Sequence, residues 1–158
     1  MRIGFGFDVH PLIEGAPFTL GGVTISHHKG ATGHSDADTL IHAICDALLG
    51  AVNLGDIGMH FPDSDPALKG IDSKILLQKV MQLITQKGYH IENIDTTVCL
   101  QQPKLRPYIP QMQETLAQVM SVSADKISIK ATTTERLGFT GREEGVSAYA
   151  VVLVNEKR

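Results

Sequence analysis

The chain has 158 residues, 42% of them hydrophobic, and 17 acidic against 14 basic residues leave a net charge of −3. That length buries one core without staples, so 1–158 reads as a single domain. The charge balance denies a dominant basic footprint and so argues against a nucleic-acid scaffold. Two cysteines, Cys45 and Cys99, are too few for a disulfide framework and read as reduced core residues. No run approaches the roughly 20 apolar residues that a membrane span needs. The first residues, Met1 to Asp8, carry an acid where a signal peptide needs an apolar centre, so the cytoplasm is the expected compartment.

Residues 2–9 read as a strand, with Phe5, Phe7 and Val9 on one parity and Gly4 and Gly6 on the other. Glycines in a strand predict close approach by something on their face. Residues 18–25 predict a hairpin around Gly21-Gly22, and 26–34 read as a loop with three histidines. A first helix is expected from Ser35, with Ser35 and Asp38 as an acidic capping box, a stripe of Leu40, Ile41, Ile44, Leu48 and Leu49, and an end near Gly50. Residues 53–70 read as loop. A second helix is expected over 72–87 with Gly88 as C-cap, a strand over 89–102, and a third helix from Pro107 or Pro110. Strands at 126–132 and 146–154 close the chain. The last, from Tyr149 to Val154, is apolar on both faces and needs cover on both sides. Helices supply one cover, and a second subunit is the expected source of the other.

Asp8 and His10 stand two apart in a strand, so their side chains share a face. With His42 they supply one carboxylate and two imidazoles, three protein ligands and an open fourth position, the pattern of a catalytic zinc site. Asp38, His42 and Asp46 fall at i, i+4 and i+8, so one of these aspartates is a candidate to hold the second nitrogen of His42. The alternatives are a satisfied core histidine at His42 and a turn cap at Asp8. Cys45, one helical turn from His42, is a weaker candidate ligand.

Seven aspartates and one basic residue, Lys69, lie between Asp36 and Asp72. Such a run is either a solvated face or a segment that holds polyol hydroxyls or divalent cations. His34-Ser35 precedes an expected helix N-terminus, where free amides and the serine hydroxyl would attract phosphate. Thr132-Thr133-Thr134-Glu135 offers hydroxyls and a carboxylate suited to Mg²⁺. Lys104 and Arg106 make one basic point, and Arg142 ends a second, glycine-rich turn. The glycines match neither a P-loop nor a dinucleotide fingerprint.

Taken together, Asp8-Val9-His10, His34-Ser35-Asp36-Ala37-Asp38 with His42, Gly55-Asp56-Ile57-Gly58, Phe61-Pro62-Asp63, Thr132-Thr133-Thr134-Glu135 and Gly138-Phe139-Thr140-Gly141-Arg142 resemble the 2-C-methyl-D-erythritol 2,4-cyclodiphosphate synthases. The resemblance covers essentially the whole chain, and the family usually has a small residue where this chain has Glu143. It implies an α/β fold: a compact subunit whose mixed sheet carries helices on one side and packs about a threefold axis in a homotrimer, with active sites between adjacent subunits.

The resemblance also implies roles. Asp8, His10 and His42 would be zinc ligands, and Glu135 the ligand of a second cation, Mg²⁺ or Mn²⁺. His34 and Thr133 would stabilise the transition state. Asp8, Val9, His10, His34 and Ser35 would meet substrate, and Asp56, Ile57, Gly58, Phe61, Pro62, Asp63, Ser64 and Asp65 its methylerythritol part. A neighbouring subunit would bring Leu100, Gln101, Gln102, Pro103, Lys104, Leu105 and Arg106, with Thr132, Thr133, Thr134 and Glu135, to the cytidine and diphosphate. Phe7, Phe139 and Arg142 would contact a central cavity that accepts an isoprenoid-like diphosphate. The implied reaction is attack of the substrate's 2-phosphate on its β-phosphorus with loss of CMP, Asp56 positioning the sugar without acting as base. A zinc phosphohydrolase, with Asp56 activating water, and a binding module with structural zinc are the rival readings.

Overall fold

The computed structural model describes residues 1–156. A five-stranded sheet is built from β1 (Arg2–Glu14), β4 (Lys29–Ala31), β5 (Tyr89–Cys99), β6 (Ile127–Thr132) and β7 (Gly145–Glu156), in the order β4-β1-β7-β5-β6. Only β5 and β6 run parallel, so the sheet is mixed. A hairpin of β2 (Thr19–Leu20) and β3 (Val23–Thr24) sits apart from it. The long helices are α1 (Thr39–Ala51), α3 (Ser73–Gln86) and α4 (Ile109–Met120), and α2 (Ile57–His60) and α5 (Gly138–Gly141) are single turns. Among the described residues no helix is long and apolar enough to cross a membrane.

The expected parity of the first strand holds, and its reason is α1. A methyl carbon added at Gly4 would lie 1.8 Å from the Ala47 carbonyl oxygen, and one at Gly6 would lie 1.9 Å from that of Ala43. The helix backbone rests on the strand where side chains are missing, which brings His42 over Asp8 and His10. Leu40, Ile41, Ile44, Leu48 and Leu49 are fully buried, as their stripe predicted.

Several boundaries differ from expectation. The first strand extends to Glu14 because residues 29–31, expected as loop, form β4 and pair with Leu12 to Glu14. The first helix starts at Thr39 and not at Ser35, because Asp38 itself is the N-cap. The Asp38 carboxylate accepts from the amides of Ile41, Gly21 and Gly22, at 3.0, 2.9 and 2.6 Å. One buried acid thus caps α1 and ties the hairpin to it; burial, set against those donors, leaves its carboxyl raised above the ordinary value. The expected loop 53–70 contains α2 and a short 3₁₀ turn over Pro66–Leu68.

The helices cover one face of the sheet. The other face is open and apolar over β1 and β7. Ile3 is 70% exposed and Phe5 64%, and Phe7, Val9, Tyr149 and Val151 are exposed beside them. Tyr149 lies against both phenyl rings, with centroids 6.5 Å from Phe5 and 5.1 Å from Phe7. The last strand is therefore apolar on both faces as expected, with one of them uncovered in the single chain.

Candidate active site

Asp8 and His10 stand on the helix-facing side of β1, and His42 descends from α1 onto them. His10 Nε2 lies 3.0 Å from Asp8 Oδ2, His42 Nδ1 lies 3.1 Å from the same oxygen, and the two nitrogens are 3.1 Å apart. Ligands of a tetrahedral ion held at about 2 Å stand roughly 3.3 Å apart, so the triangle has the size of a zinc site.

The outer nitrogens show that the triangle is built for a cation. His10 Nδ1 lies 3.1 Å from the Thr32 carbonyl, which can only accept, so a neutral His10 carries its proton there and turns a lone pair inward. His42 Nε2 lies 2.9 Å from Ser73 Oγ. Ser73 spends its one hydroxyl proton on the Asp36 carboxylate, so it accepts from His42. His42 Nδ1 is then also a bare lone pair. Two lone pairs and a carboxylate facing one another repel unless a positive charge lies among them. Without a metal, a proton on an inner nitrogen supplies that charge, and the acid–base shifts follow from it. Burial works to raise Asp8, but hydrogen bonds and charge from His10 and His42 outweigh it and hold the carboxyl below the ordinary value. Burial works to lower His10, and Asp8 outweighs it, leaving the imidazole raised.

The aspartates on the His42 face of α1 do not hold that ring. Asp38 is consumed as the cap, and Asp46 accepts from the Ile57 amide at 2.7 Å. Ser73 takes the role, with Asp36 behind it and Ser35 Oγ 3.1 Å from the same nitrogen. Sequence reasoning missed Ser73, Asp36 and Thr32 as supports, because they come to the rings from distant segments and share no local period with them. Cys45 is fully buried and outside the ligand cluster, with its thiol pushed well up by burial.

The acidic run is mostly structural. Asp38, Asp56, Asp65 and Asp72 cap helical turns, and Asp36 and Asp46 accept from Ser73 and Ile57. The helix-amide argument for phosphate at His34-Ser35 does not hold, since α1 starts later, at Thr39, with Asp38 capping it. His34 Nε2 instead donates to the Asp65 carbonyl at 3.1 Å, joining His34 to the segment Phe61 to Asp65. Asp56, Gly58, Pro62, Asp63 and Ser64 are exposed around it.

A groove of about 510 Å³ collects Leu100, Pro103, Lys104, Leu105 and Arg106 from one side and Thr132 and Thr133 from the other. Two sequence segments expected to serve one ligand thus meet. Thr133 Oγ1 donates to Glu135 Oε1 at 3.0 Å, and Thr134 Oγ1 to the Leu137 carbonyl at 2.7 Å. Gln101 Oε1 accepts from the Arg136 amide at 3.3 Å. Among the described residues Glu135 belongs to no cluster of three metal-ligating groups. Arg142 pairs with Glu144 on the surface through two bonds of 3.0 Å.

In one chain the groove and the triangle are separate. Thr132 pairs with Cys99, Cys99 with Ser147, and Ser147 with Val9. Three strand steps of about 4.8 Å put roughly 14 Å between them.

A mixed sheet with helices on one face, holding a two-histidine, one-carboxylate triangle at the helix–strand contact, defines a small metal-binding α/β protein. Residues 1–155 match the YgbB family, and the chain belongs to it. A relative from Bacteroides fragilis, named 2-C-methyl-D-erythritol 2,4-cyclodiphosphate synthase, is 64% identical over 155 residues, covering 98% of each chain. One of the same name from Porphyromonas gingivalis is 66% identical over 153 residues, 97% of this chain and 94% of the relative. A solved structure of a synthase of that name superposes with a TM-score of 0.90 at 38% identity, over 98% of this chain and 100% of the other. The bifunctional IspDF of Campylobacter jejuni superposes with a TM-score of 0.95 at 41% identity, over 98% of this chain and 42% of that one.

Proposed function

We infer that the chain converts 4-diphosphocytidyl-2-C-methyl-D-erythritol 2-phosphate to 2-C-methyl-D-erythritol 2,4-cyclodiphosphate with release of CMP. The observation that carries this reading is the lone-pair triangle of Asp8, His10 and His42 in a chain that matches synthases of this name from end to end. It is a phosphorus–oxygen lyase reaction. A 2-phosphate oxygen bonds to the β-phosphorus, the bond from that phosphorus to the bridging oxygen breaks, and CMP leaves with the electron pair. No water enters.

The attacking phosphate is already an anion, so the protein's task is to fold the substrate and offset charge. Zn²⁺ on Asp8, His10 and His42, and Mg²⁺ or Mn²⁺ on Glu135 with substrate phosphates, would polarise and neutralise the phosphate oxygens. His34 carries a proton on Nε2, since its present partner is a carbonyl, and so can donate to a developing oxyanion. Thr133 supplies a hydroxyl donor beside Glu135. Asp56 uses Oδ1 to cap α2 through the Met59 amide at 3.0 Å, leaving its other oxygen for a sugar hydroxyl. Positioning, not proton abstraction, is its role here.

The open apolar sheet face supports a homotrimer about a threefold axis. The roughly 14 Å between metal triangle and groove supports active sites shared by adjacent subunits, with the 100–106 and 132–135 segments of one chain serving the triangle of another. An isoprenoid-like diphosphate in a cavity on that axis, near Phe7 and Phe139, would have to displace Glu144 from Arg142. The test is phosphorus NMR of purified protein with the cytidylylated substrate and Mg²⁺. Two coupled diphosphate resonances and equimolar CMP are expected. A linear product with CMP would sink the cyclase reading in favour of hydrolysis, and no CMP would sink both.

A further inference from the structure

We propose that this chain carries a second transition-metal site, built by His27, His28 and Glu143, that takes Zn²⁺ or another imidazole-preferring divalent ion. One ligand atom from each of these side chains lies within 4.8 Å of the others. Two imidazoles with a carboxylate suit zinc, nickel or copper and not magnesium or calcium. The site is distinct from the triangle of Asp8, His10 and His42. It lies beside Glu14 at the far end of β1, and Glu14 Oε1 is 3.7 Å from His28 Nε2. Glu14 is four positions beyond His10, about 13 Å of strand.

One unpartnered nitrogen points to a ligand here, and two features of the local geometry frame it. At the bend before β4 the His27 and His28 rings lie against each other, with centroids 4.2 Å apart. His27 Nε2 is buried and is the one such side-chain atom among the described residues without a hydrogen-bond partner. Buried polar atoms of that kind call for an explanation, and an ion is one. Glu143 reaches the two rings from a left-handed backbone with φ of 56°, where glycine would sit without strain. That backbone is fixed by the Glu143 amide bonding the Thr140 carbonyl at 3.0 Å and by Lys29 Nζ bonding the Glu143 carbonyl at 3.1 Å. Lys29 is the competing cation of the neighbourhood, but its ammonium is directed at the backbone oxygen. An ion held here would join the 27–28 segment to the turn that carries Arg142 and Glu144.

The test counts zinc bound per chain by the full-length protein, with Zn²⁺ alone as the probe. Glu143→Gly removes the ligand and relieves the backbone, so it is expected to fold; His28→Ala is the second variant. The parent should bind two zinc ions, and each variant one, with turnover kept. A parent that binds two while both variants also bind two overturns the proposal, as does a parent that binds one while the variants bind one. A parent with one and variants with none would instead remove the Asp8 triangle as the zinc site while keeping this one.

Discussion

Ser73 Oγ stands 2.9 Å from His42 Nε2, across 31 positions of sequence, and its own proton is committed to Asp36. That contact, with Ser35 Oγ 3.1 Å from the same nitrogen, holds the ring with Nδ1 toward Asp8. It turns a buried histidine into a ligand with a fixed tautomer and a basic inner lone pair.

Ser73→Ala should therefore weaken zinc binding about 10- to 100-fold, the usual effect of losing such a support. Competition against a chelator of known affinity measures it. Turnover should return when zinc is supplied in excess. An unchanged affinity would mean that Ser73 does not orient the ring.

Gly6→Ala forces a methyl carbon to within 1.9 Å of a backbone oxygen on α1. Overpacking against backbone, which cannot rotate away, should cost about 3 kcal/mol. For a domain of this size that is a loss of about 10 °C in melting temperature. Gly50 lies in the same helix, and an added carbon there meets nothing within 4 Å. Gly50→Ala should stabilise by about 0.5 to 1 kcal/mol. Thermal denaturation of the pair distinguishes a packing glycine from a dispensable one; equal effects would refute the close approach of α1.

Val151→Glu places a charge in the open apolar face beside Phe5 and Tyr149. Buried in an interface without a partner it is expensive, and on a free surface it costs little. Sedimentation equilibrium should show a trimer for the parent and a monomer for the variant. A variant that remains trimeric would place the interface elsewhere.

Asp46 has its carboxyl raised, first by burial and then by the charges of Asp56 and Asp8, with the Ile57 amide opposing. A raised acid binds its proton more tightly in the folded chain than in the unfolded one. Stability then falls as pH rises from about 3.9, the unfolded value, through the raised folded value. Asp46→Asn keeps an oxygen for the Ile57 amide and removes the charge. In metal-free protein it should melt higher than the parent near neutral pH and equal to it once the parent's Asp46 is protonated. A constant difference across that range would assign the effect to something other than ionisation.

Much of this could be read from residues close together in the chain. The stripe of α1, the span of α3 and, within a residue or two, the closing strands follow from periodicity and turn residues, which act within one or two turns of chain, while the C-cap of α3 is Lys87 and not Gly88. Asp8 and His10 share a face because a strand alternates, whatever surrounds it. The glycines at 4 and 6 announced a close neighbour without naming it. What belonged to tertiary structure was every choice between competing partners. Asp38 satisfies three amides, two of them from a hairpin brought to it only by folding, and so capped α1 and left His42 to Ser73. Residues 29–31 became a strand because β1 had an edge to fill. The pairing of Glu143 with His27 and His28, more than a hundred positions away, has no local signature. A hydrogen bond or ligand contact depends on where two groups arrive in space, and periodicity in sequence carries no information about that arrival.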